Sequence, residues 1–178
     1  MASRGLVILP VIALALPAPA AAQEVFAGIL AHDVHLPIDK SGQEHGPELE
    51  VGFRSGRVGA LGFLGRPSLY VRGALAASGG TDFIGAGLSW RLGRGAFYAR
   101  PALGIAVQTG RMPVFGADGV RTDLGSRLVF EPELAIGYQL APRVSVEAAL
   151  VHRSHAGLFN SQQNPGMDSL GLRLNFSL

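Results

Sequence analysis

The residues that could do chemistry lie near the carboxyl end of the chain. His152 and Ser154 are separated by one residue, and Asp168 follows after a short polar segment. A hydroxyl, an imidazole and a carboxylate are the groups that acyl transfer uses as nucleophile, general base and orienting acid. Their types and spacing therefore favour a serine esterase, provided that the fold brings Asp168 beside His152.

Two segments of alternating apolar and polar residues carry these groups, and side chains in a β-strand return to the same face every two residues. His152 and Ser154 share a face with Leu150, and Asp168 shares one with Leu170. Neighbouring strands lie about 4.8 Å apart, so a paired Asp168 would reach His152. The competing interpretation is that all three are ordinary polar residues at a rim where lipid meets water.

The first 22 residues are expected to be a cleaved signal peptide. A basic start is followed by an apolar run and by the small residues Ala20, Ala21 and Ala22, which is the usual order of such signals. The run is shorter than the roughly 20 apolar residues of a membrane-spanning helix. The mature chain, residues 23–178, has the length of one domain and no cysteine for a disulfide.

Eight segments of period-two alternation follow between breaks rich in Gly, Pro and Asp. They span residues 24–34, 47–54, 67–76, 82–92, 96–108, 125–140, 143–154 and 168–178. Each is close to the length, about 9 to 11 residues, that a tilted strand needs to cross a bilayer. The pattern predicts an all-β, eight-stranded antiparallel barrel.

The charges decide which way the faces point. Residues of both signs lie in mid-strand, opposite the apolar faces: Glu131, Glu133, Glu147, Arg100 and Arg173. A soluble lipocalin-like barrel would put its apolar faces inward, whereas a transmembrane barrel puts them outward. With eight strands the interior is just filled by side chains. The sequence therefore predicts an outer-membrane barrel whose lumen holds ion pairs.

The breaks between segments also suggest an orientation, because outer-membrane barrels have short periplasmic turns and longer external loops. The scheme places His152, Ser154 and Asp168 at the external rim, facing lipid, and Trp90 and Tyr138 at the opposite rim. Two connections fit poorly. Residues 77–81 are short for an external loop, and residues 55–66 are long for a periplasmic turn.

The site residues also carry a family resemblance. His152-Arg-Ser154-His-Ala156-Gly157 followed by Asn164-Pro-Gly166-Met-Asp168 resembles the signature of the PagL-type lipid A 3-O-deacylases, which are eight-stranded outer-membrane barrels. The resemblance implies hydrolysis of the ester-linked 3-hydroxyacyl chain at position 3 of lipid A, with no metal and no cofactor. It assigns Ser154 as nucleophile, His152 as base and Asp168 as the acidic member, which is usually Glu.

One position departs from that signature. The family has an Asn whose side chain helps to form the oxyanion hole, and this chain has His155 there. A neutral histidine donates one hydrogen bond, so the role is expected to persist in weaker or pH-dependent form. The backbone N–H of Gly157 is the second expected oxyanion donor.

Other functions stay open at this stage. The expected partners are lipopolysaccharide and outer-membrane lipid; nucleic acid is excluded because basic residues do not cluster with aromatic ones. The alternatives to an esterase are a structural or adhesive barrel without enzymatic activity and a soluble lipocalin-like binder. The sequence does not decide between a monomer and a homodimer.

Secondary candidates have a structural interpretation beside the functional one. Four arginines could clamp lipid A phosphates, or could be loop charges and lumen partners: Arg111, Arg121, Arg127 and Arg153. His32 and Asp33 could form a second site or a solvated rim pair. His35 and His45 lack the spacing of a metal site.

Overall fold

The computed structural model describes residues 23–36, 44–93, 95–110, 124, 126–158 and 166–178. It contains eight strands and one short 3-10 helix, η1. In chain order they are β1 Glu24–Ala31, β2 Pro47–Arg57, η1 Gly59–Leu64, β3 Ser68–Ala76, β4 Phe83–Ser89, β5 Phe97–Gln108, β6 Leu128–Ala141, β7 Val144–Arg153 and β8 Met167–Ser177. The signal-peptide segment, residues 1–22, lies outside the described residues and stays a prediction.

The strands form a closed antiparallel barrel in which each strand pairs with its neighbours in sequence and β8 pairs with β1. The predicted fold class and all eight strands are confirmed. One end of β1, β2, β4 and β6 differs by three residues from the prediction, and β1 ends at Ala31 rather than at residue 34. His32 and Asp33 form a turn there, and Asp33 has a left-handed φ of 52°, a conformation that aspartate tolerates better than most residues.

The outer wall is apolar, as the alternation predicts. Many large aliphatic and aromatic side chains of the strands are exposed, among them Ile29 (63% exposed), Ile84 (58%) and Leu172 (62%). Residues of the opposite parity are buried, including Glu147 and Arg173. An apolar exterior around a charged interior is the pattern of a barrel that sits in lipid.

Ion pairs fill the lumen. Arg173 pairs with Glu133 at 2.7 Å and with Glu50, and Arg100 pairs with Glu147 at 2.7 Å. The charged side chains buried here are Glu24, Glu48, Glu50, Glu131, Glu133, Glu147, Arg54, Arg72, Arg100, Arg153 and Arg173. Each charge faces a partner, which is what burial of an ion requires. The predicted lumen pairs are confirmed.

The two ends of the barrel differ. At the termini end, the Leu178 N–H donates to the Gln23 carbonyl, and the connections are η1 and two tighter turns. The loop end carries the connections after β1, β3, β5 and β7. There a small buried apolar cluster includes Phe83, Val129 and Met167.

Within the part of the chain that the structure describes, no helix is both long enough and apolar enough to cross a membrane.

Candidate active site

His152 and Asp168 meet at the loop end, where β7 and β8 pair. They are directly opposite in the strand register, and His152 Nδ1 lies 3.0 Å from Asp168 Oδ1. The His152 side chain is 39% exposed and that of Asp168 is 4% exposed. A carboxylate can only accept, so the proton of this contact lies on Nδ1, and Nε2 is left as the basic nitrogen.

Ser154 continues the line of β7 one step past the end of the strand. Its N–H donates to the Phe130 carbonyl at 3.1 Å, and the Phe130 N–H donates to the Ser154 carbonyl at 2.8 Å. These bonds fix the backbone of Ser154 against β6. Among the hydrogen bonds of the described residues, none joins Ser154 Oγ to His152. The structure thus brings the serine to the site but leaves that predicted contact unmade.

The site is more enclosed than the sequence pattern suggests. Ser154 is 6% exposed and Asp168 is 3% exposed, although their parity points them to the outer face. At this end the residues after β1 lie against the start of β8. The Val34 N–H donates to the Asp168 carbonyl at 2.7 Å. Of the three groups expected to face lipid, only His152 is partly exposed, whereas Ser154 and Asp168 are buried.

A strained turn follows Ser154. Ala156 and Gly157 both have left-handed φ values, 52° and 73°, and the Leu158 N–H donates to the His155 carbonyl at 3.0 Å. A left-handed alanine costs roughly 1–2 kcal/mol, and such strain tends to occur at functional sites. The side chain of His155 is fully buried. Its predicted role as an oxyanion donor remains a prediction, as does that of Gly157.

Gly166 is a site residue to which the sequence analysis assigned no role. A Cβ at this position would lie 2.5 Å from Cε1 of His152, so only glycine lets the backbone approach the imidazole this closely. Its φ of 71° also favours glycine. The Pro165-Gly166 dipeptide is a turn signal, but its contact with His152 depends on the tertiary fold. Asn164 and Pro165 lie outside the described residues.

One buried carboxylate, Glu48, ties together the strands that carry the site. Its two oxygens accept from the guanidinium of Arg153 at 3.0 Å each, and Oε2 also accepts from the Ser169 hydroxyl at 2.9 Å. Arg153 lies between His152 and Ser154, and Ser169 follows Asp168. The lumen side of β7 and β8 is thus braced directly behind the site.

The turn after β1 joins the same network. His32 Nδ1 is 2.8 Å from Glu48, and His32 Nε2 is 2.8 Å from Glu44. Burial alone would lower the pKa of His32, but the hydrogen bonds and charges of the two glutamates outweigh it and raise the pKa to about 9. His32 and Asp33 are buried, so they are not the solvated rim pair of the alternative interpretation.

Two of the four arginines proposed as phosphate clamps, Arg153 and Arg127, are described, and both have partners within the barrel. Arg153 is fully buried between Glu48 and Glu131, and Arg127 donates to the backbone carbonyls of Gln108 and Gly110. Arg111 and Arg121 lie outside the described residues. Among the residues that the structure describes, no group of three or more histidine and carboxylate side chains is arranged to hold a metal ion.

Comparison with known structures shows the same architecture. The crystal structure of the outer membrane enzyme PagL superposes with a TM-score of 0.60 at 18% identity, covering 87% of this chain and 99% of that one. Neisserial surface protein A gives a TM-score of 0.52 at 14% identity, covering 88% and 96%. The N-terminal β-barrel domain of Pseudomonas aeruginosa OprF gives 0.53 at 9% identity, covering 86% and 97%. These likenesses establish the outer-membrane barrel fold.

Sequence comparison supplies the family. Curated proteins include no significant match, but the family model described as lipid A 3-O-deacylase (PagL) matches residues 49–177, a span that contains His152, Ser154 and Asp168. This match decides against the lipocalin-like and non-enzymatic alternatives. The chain belongs to the PagL family of lipid A 3-O-deacylases, enzymes of the outer membrane.

Proposed function

We propose that Ser154, His152 and Asp168 hydrolyse the ester that links a 3-hydroxyacyl chain to position 3 of lipid A. The observation that carries the assignment is the pair of His152 and Asp168, in which Nδ1 faces the carboxylate at 3.0 Å and the ring stays partly exposed. This arrangement orients an imidazole and leaves its other nitrogen accessible, which is what a general base requires.

The first step forms an acyl-enzyme. Ser154 Oγ attacks the ester carbonyl while His152 Nε2 takes the hydroxyl proton, and Asp168 stabilises the resulting imidazolium. The tetrahedral intermediate then collapses, and His152 returns the proton to the departing sugar oxygen. For this step Ser154 must turn its hydroxyl toward His152, a contact that forms in the complex with substrate.

The second step releases the fatty acid. Water attacks the acyl carbonyl, His152 accepts a proton from that water, and Ser154 leaves as the hydroxyl. In both steps negative charge develops on the carbonyl oxygen, and we assign its stabilisation to the backbone N–H of Gly157 and the side chain of His155. The loss of one oxyanion donor costs about 10² to 10³ in turnover in other hydrolases.

The position of the site suits a lipid substrate. It lies at the loop end of an apolar wall, which corresponds to the external surface of an outer-membrane barrel. The ester of lipid A lies where headgroup meets hydrocarbon, so it can reach His152 and Ser154 without leaving the bilayer. Every proposed site residue comes from one chain.

The test is mass spectrometry of lipid A incubated with the detergent-refolded chain. We expect the parent protein to remove one 3-hydroxyacyl chain and Ser154→Ala to remove none. Ser68→Ala, at the termini end, serves as the matched control and should act like the parent. Hydrolysis by a folded Ser154→Ala variant would eliminate the proposed nucleophile, and a different site of cleavage would eliminate the proposed ester.

A further inference from the structure

The connection between β2 and β3 departs from the short turns expected at the termini end. It contains η1, Gly59–Leu64, whose six residues carry no charge and include none that is buried. Phe63 is 82% exposed and Leu64 is 42% exposed. An exposed aromatic and aliphatic pair on a turn is unfavourable in water, so this segment needs an apolar environment.

Contacts with Trp90 place η1 against the outer wall of the barrel. The indole N–H of Trp90 donates to the Leu64 carbonyl at 2.7 Å, and the site of a Gly65 Cβ would be 3.8 Å from the indole ring. Trp90 has the same parity as Ile84, which is 58% exposed on the outer face. The segment is therefore continuous with the lipid-facing wall.

Arginines flank this apolar segment. Arg57 precedes it and Arg66 follows it, and both are exposed. The guanidinium of Arg57 donates to the carbonyl of Arg91, the residue after Trp90, at 3.2 Å. Aromatic residues at the level of the headgroups, with arginines beside the phosphates, characterise protein surfaces at a membrane boundary.

We propose that η1 is an interfacial anchor that inserts Phe63 and Leu64 into the periplasmic leaflet of the outer membrane, with Arg57 and Arg66 at the phospholipid phosphates. The termini end of an outer-membrane barrel is the periplasmic end, so the occupant is a glycerophospholipid rather than lipid A. The anchor is independent of the deacylase chemistry at the opposite end.

The chain has no cysteine, so a nitroxide spin label can be attached at one chosen position. The Phe63→Cys variant would be spin-labelled and refolded into vesicles of phosphatidylethanolamine and phosphatidylglycerol. The relaxation of the label would then be measured with oxygen, which enters lipid, and with a water-soluble nickel complex. Leu172→Cys on the outer wall gives the value for lipid, and Ala77→Cys in the exposed turn at the loop end gives the value for water. Circular dichroism checks that each labelled barrel is folded.

We expect the label at position 63 to relax faster with oxygen than with nickel, between the two reference positions and closer to Leu172→Cys. A Phe63→Cys label that behaves like Ala77→Cys would show that η1 lies in water and would overturn the proposal. As a second measurement, Arg57→Ser with Arg66→Ser should raise the nickel accessibility of the same label in these vesicles. Unchanged nickel accessibility would contradict the proposed contacts of Arg57 and Arg66 with the phosphates.

Discussion

Two buried carboxylates show how the same barrel builds both a scaffold and a site. Glu147, in mid-lumen, accepts from the guanidinium of Arg100 at 2.7 Å and from the hydroxyl of Tyr98 at 2.9 Å. Asp168, at the loop end, faces the imidazole of His152 at 3.0 Å. A guanidinium keeps its proton at any physiological pH, whereas an imidazole can exchange one. The choice of partner, rather than burial, separates the structural carboxylate from the one that we propose for the chemistry.

Glu48 combines the two kinds of partner, a guanidinium and an imidazole. It pairs with Arg153 like a scaffold carboxylate, but it also binds His32 and the Ser169 hydroxyl. Its partners flank His152, Ser154 and Asp168 along the chain. We therefore expect Glu48 to contribute both to the stability of the barrel and to the positioning of the site.

The largest expected effect is on Asp168→Asn. An amide can offer His152 Nδ1 a donor in place of an acceptor and so stabilise the wrong tautomer; in triad hydrolases this costs about 10⁴ in turnover. The turnover number for lipid A should fall by about that factor, while the thermal unfolding temperature stays close to that of the parent. A variant that retained parental turnover would show that Asp168 does not orient the base.

Glu147→Gln should lower the stability of the barrel and leave turnover unchanged. Removal of one charge from a buried ion-pair network typically costs about 3–5 kcal/mol in the free energy of unfolding, because Arg54, Arg100 and Arg173 all lie around this carboxylate. Turnover below the unfolding transition should be unchanged.

Glu48→Gln provides the matched comparison with Glu147→Gln. It should destabilise the barrel to a similar degree and also reduce turnover, since its partners brace the site. Thermal unfolding by circular dichroism and a deacylation assay at one low temperature would be measured on both variants. Equal turnover in the two variants would refute the positioning role of Glu48.

Gly166→Ala should have a moderate effect on the site. The added Cβ would lie 2.5 Å from His152 Cε1, so the imidazole must move, and we expect turnover to fall about tenfold, or about 1.4 kcal/mol. Gly79→Ala is the control, because Gly79 also has a left-handed φ, 88°, but has open space at its Cβ. Similar deacylation rates for the two variants would mean that the contact with His152 is unimportant.

The stability of the barrel should also depend on pH. The pKa of His32 in the folded protein, about 9, is above its ordinary value of 6.5, so the protonated form stabilises the fold. That contribution is complete below about pH 6.5 and is lost as pH rises through about 9. We expect the unfolding temperature of the parent to decline across this window more than that of His32→Gln; parallel declines would argue against the assignment.

Much of the fold could be predicted from the sequence because β-structure repeats every two residues. The alternation of Ile84, Ala86 and Leu88 identifies an outward face, and the mid-strand Glu147 and Arg173 identify an inward one. The same alternation predicted the faces of His152 and Asp168. Because β7 and β8 are consecutive, a hairpin between them is enough to bring the two residues together. Strand ends were less certain: the turn at His32 and Asp33 depends on contacts with Glu44 and Glu48, which are distant in sequence.

Local periodicity and residue type are enough to predict the barrel, the direction of its faces and the residues with suitable chemistry. The pairing of charges across the lumen, the packing of Gly166 against His152 and the contacts of Glu48 behind β7 and β8 follow from the tertiary fold. The lumen pairs and the contacts of Glu48 join strands far apart in the chain, and the contact of Gly166 with His152 depends on the register of β7 and β8. Barrel closure and register set their distances, and no local pattern encodes either one.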